Sequence, residues 1–172
     1  MIGLNFAVTL PLSPLVSGTI KVAVLGVGAL GQHHARIYSE LQKAGKIQFI
    51  GLYDANPERA KEIAGHHDIQ ILSSAEEVLT SAEAVSIVTP TTTHFELASQ
   101  FLEAGRHVLV EKPMTEDATQ AAQLVQLAQD KNCVLQVGHV ERFNPVFDYL
   151  QSVANEPRFI ETHRLSPYPK RS

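Results

Sequence analysis

The chain has 172 residues, of which 44% are hydrophobic and 19% charged, with a formal net charge of −4. This is the make-up of a soluble globular domain with enough chain to bury a core. The scattered Lys and Arg exclude the basic stripe that a nucleic-acid surface requires. A single cysteine, Cys133, rules out an internal disulfide and suits a reducing cytoplasm, and no run is long enough to span a bilayer.

Residues 1–18, "MIGLNFAVTLPLSPLVSG", are apolar and uncharged. They lack the basic start of a signal peptide, and Pro11 and Pro14 interrupt the apolar run. They read instead as an extension outside the fold, disordered or left by an upstream start. The first strand is expected at "IKVAVLG", followed by the helix "ALGQHHARIYSELQKAG", which Gly45 ends. The strand "IQFIGLYD" leads into "NPERAKEIAG", a helix with Pro57 in its first turn. "IQILSS" reads as a short third strand and "AEEVL" as a helical turn. "AVSIVTP" and "TTTHFELASQFLEAG" repeat the strand–helix pair, with Thr93 and Glu96 spaced as a capping box and Gly105 as the stop. "HVLVEK", the helix "TEDATQAAQLVQLAQDK" and the strand "CVLQVGH" make a third pair. A last helix, "NPVFDYLQSVA", precedes the strand-like run "RFIETHRL".

Strands that are apolar throughout, rather than alternating, are those of a parallel sheet covered on both faces. The expected fold is therefore a doubly wound α/β, mostly parallel sheet of the Rossmann type, with strand order 3-2-1-4-5-6 and ligands beyond the carboxyl ends where that order reverses.

Directly after the first strand, Gly26-Val27-Gly28-Ala29-Leu30-Gly31 forms a G-x-G-x-x-G pattern at a strand-to-helix junction. Gly26 permits the tight turn, Gly28 lets the backbone approach a pyrophosphate, and Gly31 lets the helix pack on the strand. The second strand ends in Asp54, 23 residues beyond Gly31, close to the spacing of the acid that binds the adenosine ribose hydroxyls. A methyltransferase binding S-adenosylmethionine could share these features. For a nicotinamide cofactor, Asp54 favours NAD over NADP, because a 2′-phosphate about 4 Å away would meet a like charge at a cost on the order of 1–4 kcal/mol. Arg59 reads as a solvated helix residue, or as a partial offset to that repulsion. The adjacent pairs His33-His34 and His66-His67 point about 100° apart on a helix, so no metal site is expected.

The segments "VAVLGVGALGQHHARIY", "YDANPERA", "IVTPTTTHFELASQFLEAGRHVLVEKPMTED" and "VGHVERFNPVF" together resemble the amino-terminal half of the glucose-fructose oxidoreductase and inositol dehydrogenase family (Gfo/Idh/MocA). The resemblance runs from about residue 20 to the end of the chain. It implies a nicotinamide-dependent oxidoreductase acting on a secondary hydroxyl of a sugar, nucleotide sugar or polyol. Glu111-Lys112-Pro113 matches the family's E-K-P motif at the end of the fifth predicted strand, a place where the Lys-Pro bond is often cis. Pro113 ends the pairing there and biases Lys112 toward extended geometry, so that its ammonium projects over the carboxyl edge. An ordinary lysine, with a pKa of about 10.4, is a poor base at neutral pH. Lys112 is therefore expected to orient the substrate hydroxyl and share in proton transfer.

By the same resemblance, Thr89, Pro90, Thr91 and His94 run beside the dinucleotide together with Gly26, Gly28, Ala29, Leu30, Gly31, Asp54, Glu111 and Lys112. His94 alternatively sits in solvent in the first turn of its helix. His34 is expected to pack or hydrogen-bond rather than catalyse. His139 and Arg142 fall in a segment expected near the substrate, and a structural salt bridge is the alternative for Arg142. "GHVERFNP" resembles most the branch acting on nucleotide-linked sugars.

Members of the family usually continue into a second α+β domain, which carries much of the oligomer interface and an Asp–His pair whose His accepts the proton. The expected organisation is an extension at 1–18, an NAD-binding domain at 19–154 and the start of a truncated domain at 155–172, with the full-length form a homo-oligomer. A non-catalytic NAD-binding module that senses or scaffolds is the rival to the dehydrogenase.

Overall fold

In the computed structural model, the described residues are 18–154 together with 156, 158, 159, 161, 163 and 165. Residues 1–17 of the extension expected at 1–18, and part of the run "RFIETHRL", lie outside them. The chain divides after Gly138, and each part is taken by itself.

Five apolar runs form the strands β1 (Lys21–Leu25), β2 (Gln48–Tyr53), β3 (Ala84–Ile87), β4 (His107–Val110) and β5 (Leu135–Val137). They pair in the order β2-β1-β3-β4-β5, and every pairing is parallel. Parallel neighbours need crossovers, and helices supply them. These are α1 (Gly31–Lys43), α2 (Pro57–His67), α3 (Ala75–Ser81), α4 (His94–Glu103) and α5 (Ala118–Asp130).

The pleat sends alternate side chains to opposite faces, and both faces are buried. Ala23, Leu25, Val85, Ile87, Val108 and Val110 enter one core with Phe101 and Leu102 of α4 and Leu124 of α5. Val24 and Leu52 enter the other with Ala35 of α1 and Ala60 and Ile63 of α2. Phe101, 1% exposed, anchors the larger core, and its loss to Ala would cost about 3–5 kcal/mol. The doubly wound parallel fold expected from the strand pattern is therefore the one observed.

One strand differs from expectation. "IQILSS" contributes a single bridge, Ile71 to Leu52, in which the Leu52 N–H donates to the Gln70 carbonyl and the Leu72 N–H to the Leu52 carbonyl. The ladder stops there because a helix cap starts immediately. Ser74 accepts the Glu77 N–H, while Glu77 accepts from both the N–H and the hydroxyl of Ser73. With that bridge counted as the third position, the expected order 3-2-1-4-5-6 holds.

The expected capping box at Thr93 and Glu96 is not formed. Thr93 makes no side-chain cap bond to α4, because its hydroxyl donates to the Pro90 carbonyl at 2.8 Å within the 3-10 turn Thr91–Thr93 that precedes the helix. In the second part of the chain, a 3-10 turn at Val140–Phe143 precedes helix α6 (Pro145–Val153), which Asn144 caps through the Val146 N–H.

Candidate functional site

The strand order reverses between β1 and β3, so the crevice beyond Leu25 and Ile87 is where a ligand is expected in an open α/β sheet. A cleft of about 680 Å³ lies there, lined by residues from the glycine turn, the end of β2, the loop after β3 and the end of β4.

The glycine turn forms its rim. Gly26 has φ +83°, and a Cβ there would stand 2.8 Å from the Val88 carbonyl oxygen, so only glycine takes this place without strain. A Cβ on Gly31 would collide with the Gly26 carbonyl, which is how close α1 begins to the strand. A Cβ built on Gly28 would meet nothing within 4 Å, so the side of this residue that faces the cleft is open to an incoming group. Asn56, Ser74 and Asp117 cap α2, α3 and α5 with their side chains, whereas α1 starts at Leu30 with no side-chain cap. The N–H groups of Gln32 and His33 donate to the carbonyls of Gly28 and Leu30, and the helix start as a whole presents partial positive charge to an anion beside the open glycine. Of the turn residues, Gly26, Gly28 and Leu30 line the cleft, Ala29 is exposed beside it and Gly31 is buried behind it.

Asp54 reaches back into this turn. Its Oδ2 accepts the Val27 N–H at 2.7 Å and its Oδ1 the Asn56 N–H at 2.8 Å. Each oxygen retains further acceptor capacity for a ligand hydroxyl. Arg59 grips the other end of the same residue: its Nε donates to the Val27 carbonyl at 2.9 Å, while Nη1 pairs with Glu62 at 2.8 Å. Arg59 is thus no solvated helix residue, and sequence spacing gave no sign of this contact across 32 positions.

The opposite wall comes from the loop after β3. Thr89, Pro90, Thr91 and His94 all line the cleft. His94 is 1% exposed, which rules out the solvated alternative. Its Nδ1 lies 2.9 Å from the Pro113 carbonyl and its Nε2 2.9 Å from the Thr89 carbonyl. Both oxygens can only accept, so the ring N–H donates to one of them, and which one depends on the tautomer.

Glu111 and Lys112 close the floor at the end of β4. The Lys112-Pro113 bond is cis. Glu111 is buried and Lys112 exposed, and among the described residues the Lys112 ammonium makes no ion pair. Beneath them runs a polar chain that sequence reasoning did not assemble. Glu111 Oε1 lies 3.2 Å from His34 Nε2, His34 Nδ1 3.3 Å from Ser86 Oγ, and Ser86 Oγ 2.6 Å from the Tyr38 hydroxyl. Burial pushes the Tyr38 phenol up, against a smaller lowering by the Ser86 bond. Two signals were available: the four-residue spacing of His34 and Tyr38, which stacks them on one face of α1, and a serine in the middle of the apolar strand "AVSIV".

His139 and Arg142 belong to the part of the chain after Gly138 and are exposed. The site therefore joins, from the first part, a glycine turn, an acid at a strand end, a threonine loop and the Glu-Lys-Pro corner. The profile of the oxidoreductase family with an NAD-binding Rossmann fold, Gfo/Idh/MocA, matches residues 20–139. The chain belongs to this family.

Among Gfo/Idh/MocA relatives, UDP-N-acetylglucosamine 3-dehydrogenase of Acidithiobacillus ferrooxidans is 40% identical over 154 residues, covering 89% of this chain and 48% of that protein. A solved structure of the same dehydrogenase superposes with a TM-score of 0.80, over 89% of this chain and 50% of that one. Inositol 2-dehydrogenase of Rhizobium meliloti is 30% identical over 149 residues, 86% of this chain and 44% of that protein. GenD2 from gentamicin A biosynthesis, solved in complex with NAD, is 28% identical with a TM-score of 0.73, over 84% of this chain and 41% of that one. The chain spans about half the length of the curated relatives it matches. Among the described residues, no helix is long and apolar enough to cross a membrane.

Proposed function

We propose that this chain is the cofactor-binding part of an NAD-dependent dehydrogenase that transfers hydride between a secondary hydroxyl of a sugar, nucleotide sugar or polyol and the nicotinamide. The observation that carries the reading is that one cleft holds the glycine turn, Asp54 and Lys112 together. The residues suit a dinucleotide. Gly28 leaves room for a diphosphate against the uncapped start of α1, and the carboxylate of Asp54 suits a ribose diol and opposes a 2′-phosphate. NAD is accordingly favoured over NADP.

When bound, the nicotinamide supplies the hydride acceptor. The chain's own residues do the rest. Gly26 and Gly28 shape the phosphate seat, while Thr89, Pro90, Thr91 and His94 form the wall along the cofactor. Lys112, exposed at the strand end, orients the substrate hydroxyl and holds or passes its proton. His139 and Arg142 are assigned to substrate contact under this reading. A nucleotide sugar heads the candidate substrates, on the 40% identity to a UDP-N-acetylglucosamine 3-dehydrogenase, and the full-length protein is proposed to act as a homo-oligomer.

NADH formation with a panel of UDP-sugars and inositols tests the activity. Lys112→Ala is expected to abolish turnover while leaving NAD affinity nearly intact. A large loss of cofactor affinity in that variant would remove Lys112 from its role. Absence of turnover on every sugar in the wild type, with NAD still bound, would instead leave the binding-module reading standing.

A further inference from the structure

Behind Glu111 and Lys112 the polar chain runs away from the cleft through His34, Ser86 and Tyr38. Glu111 is 6% exposed, at the end of a strand whose Val108 and Val110 enter the apolar core. A buried carboxylate is costly unless it is hydrogen-bonded. Among the described residues no Lys or Arg pairs with it, and its one ionisable partner is His34. His34 Nε2 lies 3.2 Å from Oε1, while Oε2 accepts the backbone N–H of Lys112 at 3.1 Å.

The imidazole is itself held. Its Nδ1 meets Ser86 Oγ, fully buried in β3, and that hydroxyl is bonded to Tyr38. The carboxylate also lies against Gly138, where a Cβ would stand 2.6 Å from Oε1, so glycine there is what leaves it space. Gly138 is in turn fixed by its N–H to the Val110 carbonyl at 2.8 Å. A carboxylate held by His34 through one oxygen and bonded to the Lys112 peptide through the other sets the direction in which residue 112 leaves the sheet.

We infer that His34, acting through Glu111, is a positioning residue for Lys112. The imidazole fixes the carboxylate, the carboxylate fixes the Lys112 peptide, and the ammonium is thereby aimed into the cleft. The inference rests on Lys112 being the group that meets the substrate hydroxyl. A catalytic group displaced by about 1 Å can forfeit on the order of 10²-fold in rate, so the consequence belongs in kcat.

The test uses His34→Ala, His34→Gln and Glu111→Gln, each assayed for kcat, for sugar KM and for NAD affinity, with amide hydrogen exchange followed at Lys112. His34→Ala and Glu111→Gln are expected to lower kcat by about 10²-fold with sugar KM nearly unchanged, and His34→Ala, outside the cleft lining, to keep NAD affinity near wild type. His34→Gln, whose amide N–H can still reach Glu111, is expected to recover part of that loss. In His34→Ala the Lys112 amide should exchange about tenfold faster while the Val110 and Gly138 amides stay protected. Glu111→Gln keeps the side-chain volume and carries the test if His34→Ala does not fold. A wild-type kcat in Glu111→Gln, or unaltered Lys112 exchange in the variants, overturns the inference. If the wild type turns over no sugar, the dehydrogenase reading fails on its own, and exchange at Lys112 still decides whether the pair positions that residue.

Discussion

The carboxylate of Asp54 stands 2.7 Å from the backbone N–H of Val27, so the acid at the end of the second strand is bonded into the glycine turn that follows the first. Beside its proposed role as a ligand for ribose hydroxyls, the acid thus braces the glycine turn. Hydrogen bonds to a charged group contribute about 1.5–3 kcal/mol each. Asp54→Ala should weaken NAD binding by about tenfold or more and narrow the preference over NADP. Calorimetry with both dinucleotides measures this, and unchanged affinity for the two would exclude the assignment.

Gly28 and Gly31 stand three residues apart, and their substitutions should fail in different ways. A Cβ at Gly28 meets nothing within 4 Å of protein, so Gly28→Ala should leave the denaturation midpoint near wild type while obstructing the diphosphate and weakening NAD. A Cβ at Gly31 runs into the Gly26 carbonyl, so α1 must shift. Overpacking of this kind costs about 1–3 kcal/mol. Gly31→Ala should therefore lower both stability and NAD affinity in urea denaturation and binding assays.

These contrasts mark what was legible in the sequence. The glycine turn, Asp54 and the Glu-Lys-Pro corner could be placed because each sits where an apolar run stops, and a strand end is a local signal. The third strand could not, because "IQILSS" has the composition of a strand but is cut to one bridge by the cap at Ser74 and Glu77. The Thr93 and Glu96 spacing was equally suggestive, yet the Thr93 hydroxyl turns to the Pro90 carbonyl. The chain from Tyr38 to Glu111 joins residues 48, 52 and 77 positions apart, and no periodicity within one segment reports such contacts.

Burial holds the Tyr38 phenol above its ordinary value of 10.0, against a smaller lowering by the Ser86 bond. In the unfolded chain it ionises near that value, while in the folded protein it stays protonated. The stability linked to it is thus fully present below pH 10.0 and is lost as pH rises toward the folded value. Tyr38→Phe should give a shallower alkaline limb in urea denaturation across pH. At neutral pH it should also lose about 1 kcal/mol with the Ser86 bond. Wild type and variant falling in parallel above that pH would show that another group is responsible.

His94 links the threonine loop to the Lys-Pro corner, with its ring 2.9 Å from the carbonyls of both Thr89 and Pro113. His94→Phe would fill most of the space and leave the carbonyl served by the ring N–H unpaired in a buried place, at a cost of about 1–3 kcal/mol. A loss of that size is therefore expected, with His94→Gln intermediate because its amide can serve one carbonyl. Since Thr89 and Lys112 stand on opposite sides of this link and both line the cleft, slackening it should weaken NAD binding as well, in contrast to His34→Ala. Imidazole nitrogen shifts give the direct check, because the nitrogen that carries the proton shows which of the two carbonyls the ring serves. Wild-type stability and NAD affinity in His94→Phe would show that the ring does not link the two segments.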